Sequence, residues 1–324
     1  MDKQPTKIDF AVGGQALIEG VMMRSPNFIT AAVRKEKGNV KLKDEDFRSF
    51  CQRVKVLGVP VVRGVVNLLE MMVVGVRMLN YSAGEKLEEP ENDLEQAGLF
   101  EKIVLGASLA FSIVFALGLS LFLFKFLPLW ITDWLSKTYD ILNQNYLLFN
   151  LVDGVLKTSF FIIYIAVLGL IPSLGRVFEY HGAEHKSIYT YEKGLDLTVE
   201  NARGMSRFHP RCGTSFILVV FLISIFIYTF VPRQDDFLAN FLVRLMFLPL
   251  IAGVSYEFLK WSARKRENRL VKMLVAPGLW FQRLTTREPD DGQIEVALSA
   301  LKKALELEKE KSAKNIEAAV VQPV

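Results

Sequence analysis

The stretch Ile103–Phe124, which reads IVLGASLAFSIVFALGLSLFLF, is 22 residues long and contains no charged side chain. A helix needs roughly 20 predominantly apolar residues to cross the hydrocarbon core of a bilayer. This stretch therefore predicts a membrane-spanning helix, and it assigns the chain to the α-helical membrane proteins.

Three further apolar stretches predict a mainly α, polytopic fold with about four transmembrane helices. Thr214–Pro232 is uncharged over 19 residues. Thr158–Leu174 has 17 residues and is long enough if Asp153 and Lys157 lie among the lipid headgroups. Phe237–Leu259 is the fourth stretch, although it contains ionisable residues.

The two ionisable residues of Phe237–Leu259 invite functional interpretations. Arg244 should lie in the outer half of this span, where it either serves a function or extends its long side chain to the headgroups. Glu257 should lie at the other end, where it is a candidate metal ligand or an ion-pair partner of Lys260 or Arg176.

Lysine and arginine concentrate on one side of the predicted spans. Six lie in the 175–213 loop and six more between residues 260 and 272, whereas the other connections hold few, such as Lys125 and Arg233. Because loops rich in these residues stay in the cytoplasm, we expect the 175–213 loop and both termini to be cytoplasmic.

The spans divide the chain into three predicted parts: an N-terminal peripheral region (1–98), a transmembrane domain (99–259) and a C-terminal arm (260–324). In the first part, Ile29–Arg34 and Val40–Lys43 predict a small hairpin. In the last part, a helix is expected over 293–309, followed by a disordered tail.

An amphipathic helix is predicted over residues 60–82, opened by Pro60. Arg63, Glu70 and Arg77 recur every seven residues, which gives a narrow polar stripe on an otherwise apolar surface. Three charges are costly at the depth of a bilayer. We therefore expect this helix to lie in the membrane interface or against the bundle rather than to span it.

The 175–213 loop holds the pattern His181-Gly-Ala-Glu184-His185. On a helix, His181 and His185 share one face and could bind one zinc-like ion, with Glu184 beside them as a general base. The same order of residues occurs in zinc proteases. The alternative is a pair of interfacial histidines beside charged headgroups.

A second motif, His209-Pro-Arg-Cys212, supplies two more candidate ligands just before the third span. A catalytic zinc needs three protein ligands and an open position, which His181, His185 and either His209 or Cys212 would satisfy. All four ligands would close the site around a structural Zn²⁺ or another divalent transition metal. The alternative is a buried cysteine at a helix start and a turn histidine.

The N-terminal segment Gly13–Arg24 is rich in glycine but lacks the spacing of a dinucleotide-binding loop. Its glycines are expected to serve tight turns or close backbone contacts. Glu19 and Arg24 could form an ion pair with each other or contact the membrane-proximal site.

Composition excludes other classes. The net charge is +4 and no uninterrupted basic tract or stacking motif indicates nucleic-acid binding. The two cysteines, Cys51 and Cys212, cannot build a disulfide framework and fit a reducing environment. The first 14 residues contain no apolar core, so no cleaved signal peptide is expected.

Four long motifs carry a resemblance to a known family. They are Gly13–Arg24, Glu179–Lys186, His209–Thr214 and Gln282–Asp291. Together they resemble the YqhQ-like family of bacterial membrane proteins over nearly the whole chain, from about Gly13 to about Leu301. The resemblance implies a protein of the bacterial cytoplasmic membrane and, from the family's usual description, a metal-dependent enzyme.

Three hypotheses of function follow. The first is a metal-dependent hydrolase at the cytoplasmic membrane surface, acting on a lipid head, a peptide or a membrane-associated metabolite. The second is a non-enzymatic scaffold or assembly factor that contacts anionic lipid or a membrane-associated protein through its basic arm. The third, a transporter, is disfavoured because the chain shows no internal repeat.

Overall fold

The computed structural model describes residues 12–86, 98–265 and 268–320. It consists of a small N-terminal β-sheet followed by helices, so the prediction of a mainly α fold is confirmed. The predicted boundary at residue 98 adjoins residues 87–97, which lie outside the described part of the chain.

The sheet is an antiparallel meander with the strand order β1-β2-β3-β4. Its strands are β1 (Gly13–Leu17), β2 (Gly20–Arg24), β3 (Phe28–Arg34) and β4 (Val40–Asp46). The pairing of β3 with β4 confirms the predicted hairpin. The β1–β2 hairpin was not predicted, because its two-residue turn places Glu19, a residue that rarely adopts positive φ, at φ 51°.

Alternate residues of the sheet are buried on its two faces. Val21, Met23 and Ala32 pack against two helices, α7 (Pro172–Glu192) and α13 (Asp291–Val320). The intervening residues, such as Met22 and Ala31, pack against helix α2 (Val62–Lys86) on the other face. The sheet therefore lies between α2 on one face and α7 with α13 on the other.

Two short turns of helix precede α2: α1 (Phe50–Arg53) and a 3₁₀ turn (Lys55–Gly58). The helix predicted over 60–82 is present as α2. Its polar stripe faces the protein, because Arg63 binds Glu257 with atom separations of 2.7 and 2.5 Å and Glu70 accepts from Ser49 Oγ at 2.6 Å. Glu257 thus pairs with a base, as predicted, but that base is Arg63 rather than Lys260 or Arg176.

The remaining helices follow in chain order. They are α3 (Leu99–Leu121), a π-helical turn (Phe122–Phe126), α4 (Leu127–Thr138), α5 (Asp140–Gln144), α6 (Tyr146–Gly169), α7, α8 (Val199–Arg203), α9 (Gly213–Tyr228), α10 (Phe237–Met246), α11 (Leu248–Arg264), α12 (Arg269–Thr285) and α13. The final helix reaches Val320 and so continues through most of the segment expected to be disordered; residues 321–324 lie outside the description.

Three helical segments in the described part of the chain are long and apolar enough to cross a membrane. They are Gly106–Thr138, Tyr146–Gly169 and Phe237–Ser262. The stretch predicted as the third span forms α9, which is apolar but shorter than these. The helix at the predicted second span, α6, begins at Tyr146, twelve residues before the predicted start, and ends before Pro172 opens α7.

The shifted start of α6 changes the environment of its charged residues. Asp153 and Lys157 are 1% and 3% exposed and pair with each other inside the bundle, so the prediction that they lie among headgroups was wrong. Arg244 is also buried and binds Asp153 at 2.8 Å, so its side chain does not extend outward. Lys125, expected in an external connection, is buried on the π-helical turn.

Candidate metal centre

Helix α7 carries the first half of the candidate site. Pro172 occupies its first turn, where a missing N–H is tolerated, and the helix then continues through His181, Glu184 and His185. The two histidines are four residues apart and share one face. That face is turned inward, since Glu184 is 5% and His185 1% exposed.

Cys212 brings the second half of the site to α7 from the start of α9. It is the N-cap residue of α9, and its Sγ accepts from the Thr214 backbone N–H at 3.4 Å. The same sulfur lies 3.1 Å from His181 Nε2. One ligand atom each from His181, His185 and Cys212 can be chosen so that all three lie within 4.8 Å of one another.

Backbone carbonyls fix both imidazole rings from behind. His181 Nδ1 donates to the Thr285 carbonyl at 2.8 Å, and His185 Nδ1 donates to the Arg207 carbonyl at 2.5 Å. A carbonyl only accepts, so each Nδ1 must carry the proton. Each Nε2 is then directed toward the cluster, and His185 Nε2 has no hydrogen-bond partner among the described residues.

His209 lies outside this group of three. Its Nε2 contacts Glu192 Oε1 at 3.2 Å, and its backbone exchanges hydrogen bonds of 2.7 Å with the side chain of Gln282. Its ring centre is 5.6 Å from that of His185. Of the four candidate ligands, the structure therefore brings together His181, His185 and Cys212, and it places His209 behind them.

The cluster perturbs the ionisation of its members. Burial alone would lower the pKa of His181 and raise that of Cys212, but their mutual attraction dominates: the pKa of His181 rises to about 9 and that of Cys212 falls well below its ordinary range. Burial lowers the pKa of His185. Burial also raises the pKa of Glu184, to about 8, although His181 opposes this shift.

Glu184 is held by the glycine-rich N-terminal segment. The Gly14 backbone N–H donates to its carboxylate, while Oε2 is buried with no hydrogen-bond partner in the described chain. A Cβ on Gly14 would lie 2.8 Å from Glu184 Cγ, so only glycine permits this approach. The expected close backbone contact is confirmed at Gly14, but its partner could not be foreseen from local sequence.

The charged residues of the same segment do not pair with each other. Glu19 binds Arg176 through two contacts of 2.5 and 2.6 Å, and it accepts from Tyr180 at 3.2 Å. Arg24 instead stacks over the Phe47 ring at 4.5 Å. The Glu19–Arg24 ion pair was therefore wrong, but both residues lie next to the site. Glu19 fixes the sheet to α7, and Arg24 lines the same cavity as His181 and Glu184.

The segment Gln282–Asp291 supplies support that sequence reasoning missed. The Thr285 carbonyl accepts from His181, the Gln282 side chain bonds to the backbone of His209, and the Thr286 carbonyl accepts from Arg207 Nη1 at 2.8 Å. Lys186 on α7 pairs with Glu288. The one sequence signal was that this segment is among the four long motifs.

A cavity of about 490 Å³ opens beside the cluster. His181 and Glu184 line it, but Cys212 is not among its lining residues in the described part of the protein. Most of the remaining lining comes from the glycine-rich segment, from Met22, Met71, Ile165, Val177 and Phe178, and from Thr214 and Thr285. The cavity is thus largely apolar, with the carboxyl group of Glu184, the imidazole of His181 and the guanidinium of Arg24 on its wall.

Comparison with known proteins agrees with the resemblance carried by the four motifs. The profile of a family described as "Protein of unknown function (DUF1385)" matches residues 59–307. The chain belongs to this family. It is also 34% identical over 308 residues to "Uncharacterized protein YqhQ" of Bacillus subtilis (strain 168), covering 93% of this chain and 94% of that protein. No solved structure matches. The profile's range includes His181, His185 and Cys212.

Proposed function

We propose that this protein is a metal-dependent membrane hydrolase in which His181, His185 and Cys212 hold one zinc-like divalent ion. The observation that carries the proposal is the fixing of both imidazoles through Nδ1, which leaves both Nε2 atoms facing Cys212 Sγ. Carbonyls in this second layer are typical of metal-binding histidines. The orphaned, buried Nε2 of His185 fits the same reading.

Three ligands favour a catalytic over a structural ion. Structural zinc sites have four protein ligands, whereas catalytic sites have three and an open position. The fourth candidate, His209, is held by Glu192 and Gln282 instead. Nitrogen and thiolate donors suit zinc among the common divalent ions.

The chemistry divides between the ion and the chain. When bound, such an ion supplies Lewis-acid activation of a carbonyl or phosphoryl group and of water. Glu184 lies beside the proposed ligands and can serve as the general acid–base of such chemistry; its pKa of about 8 is that of the metal-free protein. The Gly14 N–H orients its carboxyl group, and the apolar cavity can accept the apolar part of a substrate.

The surroundings of the cluster support a site at the cytoplasmic surface of the membrane. Helix α2 exposes Leu69, Met72 and Val73, and α12 exposes Leu270 and Met273, as expected of helices in contact with lipid. The basic loops support cytoplasmic termini, and the family favours a bacterial cytoplasmic membrane. A lipid head, a peptide or a membrane-associated metabolite would suit this position.

The alternative is a non-enzymatic scaffold in which the cluster only stabilises the fold. The observation in its favour is that the three ligands join α7 to α9, with Thr285 of α12 behind them. A metal held there would fix the helices without chemistry. A variant of Glu184 can distinguish the two proposals, because only the hydrolase needs the carboxyl group of this residue.

Metal content of the purified full-length protein tests the first part of the proposal. We expect one ion per chain in the wild type and its loss in His181→Ala, His185→Ala and Cys212→Ser. His209→Ala is the matched control, and it should keep the ion because His209 is not in the cluster. A wild type without stoichiometric metal would contradict the proposal.

Glu184→Gln tests the second part. We expect this variant to keep its ion and to lose hydrolysis of whichever ester, phosphoester or peptide substrate the wild type cleaves in a panel of membrane-associated compounds. If the wild type binds metal but hydrolyses none of them, and Glu184→Gln has no effect in cells, the scaffold is favoured.

A further inference from the structure

A second group of buried ionisable residues lies among the apolar helices. Lys125, Lys157 and Arg244 are 6%, 3% and 2% exposed. Lys157 and Arg244 both pair with Asp153, while Lys125 Nζ donates to Tyr228 Oη at 2.5 Å. Ionisable residues within membrane spans are costly and tend to mark functional sites.

With every group in its ordinary ionised form, this group holds three positive charges and one negative charge. In the described part of the chain, Asp153 is the one carboxylate that pairs with any of the three cations. The phenol of Tyr228 and the amides of Asn150 and Asn240 complete the contacts. A buried charge without a counterion carries a large desolvation penalty. An additional anion would offset that penalty.

Space for such an anion lies next to the lysines. A cavity of about 300 Å³ is lined by Lys125 and Lys157 and otherwise almost entirely by apolar side chains of α3, α6, α9 and α11. Its two remaining polar residues are Ser120 and Ser224. The volume is at the lower end of ordinary ligand pockets. The cavity has no lining residue in common with the one beside His181.

The backbone also departs from regular helix at this point. Residues Phe122–Phe126 form a π-helical turn, and Lys125 is its buried residue. Such turns are rare and occur frequently at functional sites. This turn brings Lys125 and Phe124 together on the wall of the cavity.

We propose that this cavity binds an amphiphile with one anionic head and one apolar chain. The head, a carboxylate or a phosphate, would lie at the ammonium groups of Lys125 and Lys157, and the chain would lie against the apolar wall. A compact ammonium group suits either head. This site is independent of the proposed metal centre, since the two cavities lie among different residues.

Binding of radiolabelled oleate to the full-length protein in non-ionic detergent tests the proposal. Lysophosphatidate should compete if the head can be a phosphate, whereas neutral oleyl alcohol and inorganic phosphate should not. We expect Lys125→Met to raise the Kd for oleate at least tenfold and Lys125→Arg to restore binding to within threefold. Lys137→Met, which alters an exposed lysine of α4, is the matched control and should bind as the wild type does.

If oleate binds but lysophosphatidate does not compete with it, the head must be a carboxylate, and the proposal is supported in that form. Equal competition by oleyl alcohol would overturn it, because the charge would then be unimportant. Competition by inorganic phosphate would overturn the part that concerns the apolar chain. Ser224→Phe fills the cavity without changing any charge, so unchanged oleate binding in this variant would overturn the proposal even if Lys125→Met does not fold.

Discussion

Thr285 and Arg207 contact the His/Cys cluster through their backbone carbonyls. Because any residue type supplies a carbonyl, sequence alone could not identify these two positions. His181, Glu184, His185 and Cys212 were identifiable as candidates because their side chains are of the types that bind metals or transfer protons. The position of His209 outside the cluster could not be predicted, because it depends on contacts with Glu192 and Gln282, which are 17 and 73 residues away in the chain.

Glu184 predicts how the stability of the metal-free protein depends on pH. The folded protein keeps the carboxyl proton up to about pH 8, whereas the unfolded chain releases it near the ordinary value of 4.5. The stabilisation is complete below pH 4.5 and is lost as pH rises toward 8, at about 1.4 kcal/mol per pH unit. Glu184→Gln should remove this slope.

The measurement is the unfolding temperature of both proteins, stripped of metal in detergent micelles, between pH 5 and 8. His181 and Cys212 affect the slope in opposite directions, and both remain in the variant. Glu310→Gln, at an exposed position of α13, controls for the loss of one carboxylate. Parallel pH curves for wild type and Glu184→Gln would refute this assignment.

At the scale of elements, α7 lies unusually close to the segment that follows α12. A Cβ on Gly182 would be 2.1 Å from the Arg287 carbonyl oxygen and 3.2 Å from Pro289 Cδ. We expect Gly182→Ala to destabilise the protein by about 1–3 kcal/mol, the usual cost of overpacking. Chemical denaturation in micelles would measure it.

Gly118→Ala is the matched control, since a Cβ there meets no atom within 4 Å. Alanine favours helix over glycine by up to about 1 kcal/mol, so this variant should be as stable as the wild type or more so. If both variants behave alike, the contact between α7 and Arg287 contributes no measurable stability.

Helix α12 predicts a contact with lipid that can be observed directly. It exposes Leu270, Met273 and Trp280, whose exposed fraction is 54%, at positions that share an apolar face. With Trp130, Trp134 and Trp261 changed to phenylalanine, Trp280 fluorescence should be quenched by lipids brominated near the glycerol end of the acyl chain. Quenching by aqueous iodide but not by brominated lipid would place this face in water instead.

Elements with a strong local pattern were the ones that sequence predicted well. The β3–β4 hairpin, α2 and the shared face of His181 and His185 follow from periodicity over a few residues. The buried pairing of Asp153 with Arg244 does not, because the residues are 91 apart and each alone is typical of a headgroup contact. Burial of a charge is decided by its partner, which no local window contains.

On the scale of the whole molecule, the N-terminal sheet and helix α13 pack together. Glu308 on α13 accepts from Ser25 Oγ and from the Asn27 backbone N–H, both at 2.7 Å, next to the sheet. The sheet also carries Gly14, which orients Glu184. The division into three parts stays a prediction. The candidate site, however, needs residues of both the N-terminal region and the C-terminal arm, since Gly14 contacts Glu184 and Thr285 contacts His181.

The bundle also has two distinct ends. Arg233, after α9, binds Asp133 of α4 at 2.9 Å and Asn143 of α5 at 3.2 Å, so α4, α5 and the connection after α9 meet at one end. Helix α6 begins there at Tyr146 and ends at Gly169, beside Phe178 of α7. Its 24 residues span roughly 36 Å at 1.5 Å per residue, about the thickness of a bilayer core.

This geometry and the basic loops predict the orientation of the chain. In a Cys51→Ser background, a cysteine at the exposed Asn143 should react with a membrane-impermeant maleimide in intact cells. A cysteine at the exposed Glu200, on the side of the His/Cys cluster, should react only after permeabilisation. Cys212 can remain because it is buried, and the parent Cys51→Ser protein measures its background labelling. The reverse pattern would put the His/Cys cluster outside the cytoplasm, where no reducing environment protects Cys212 from oxidation.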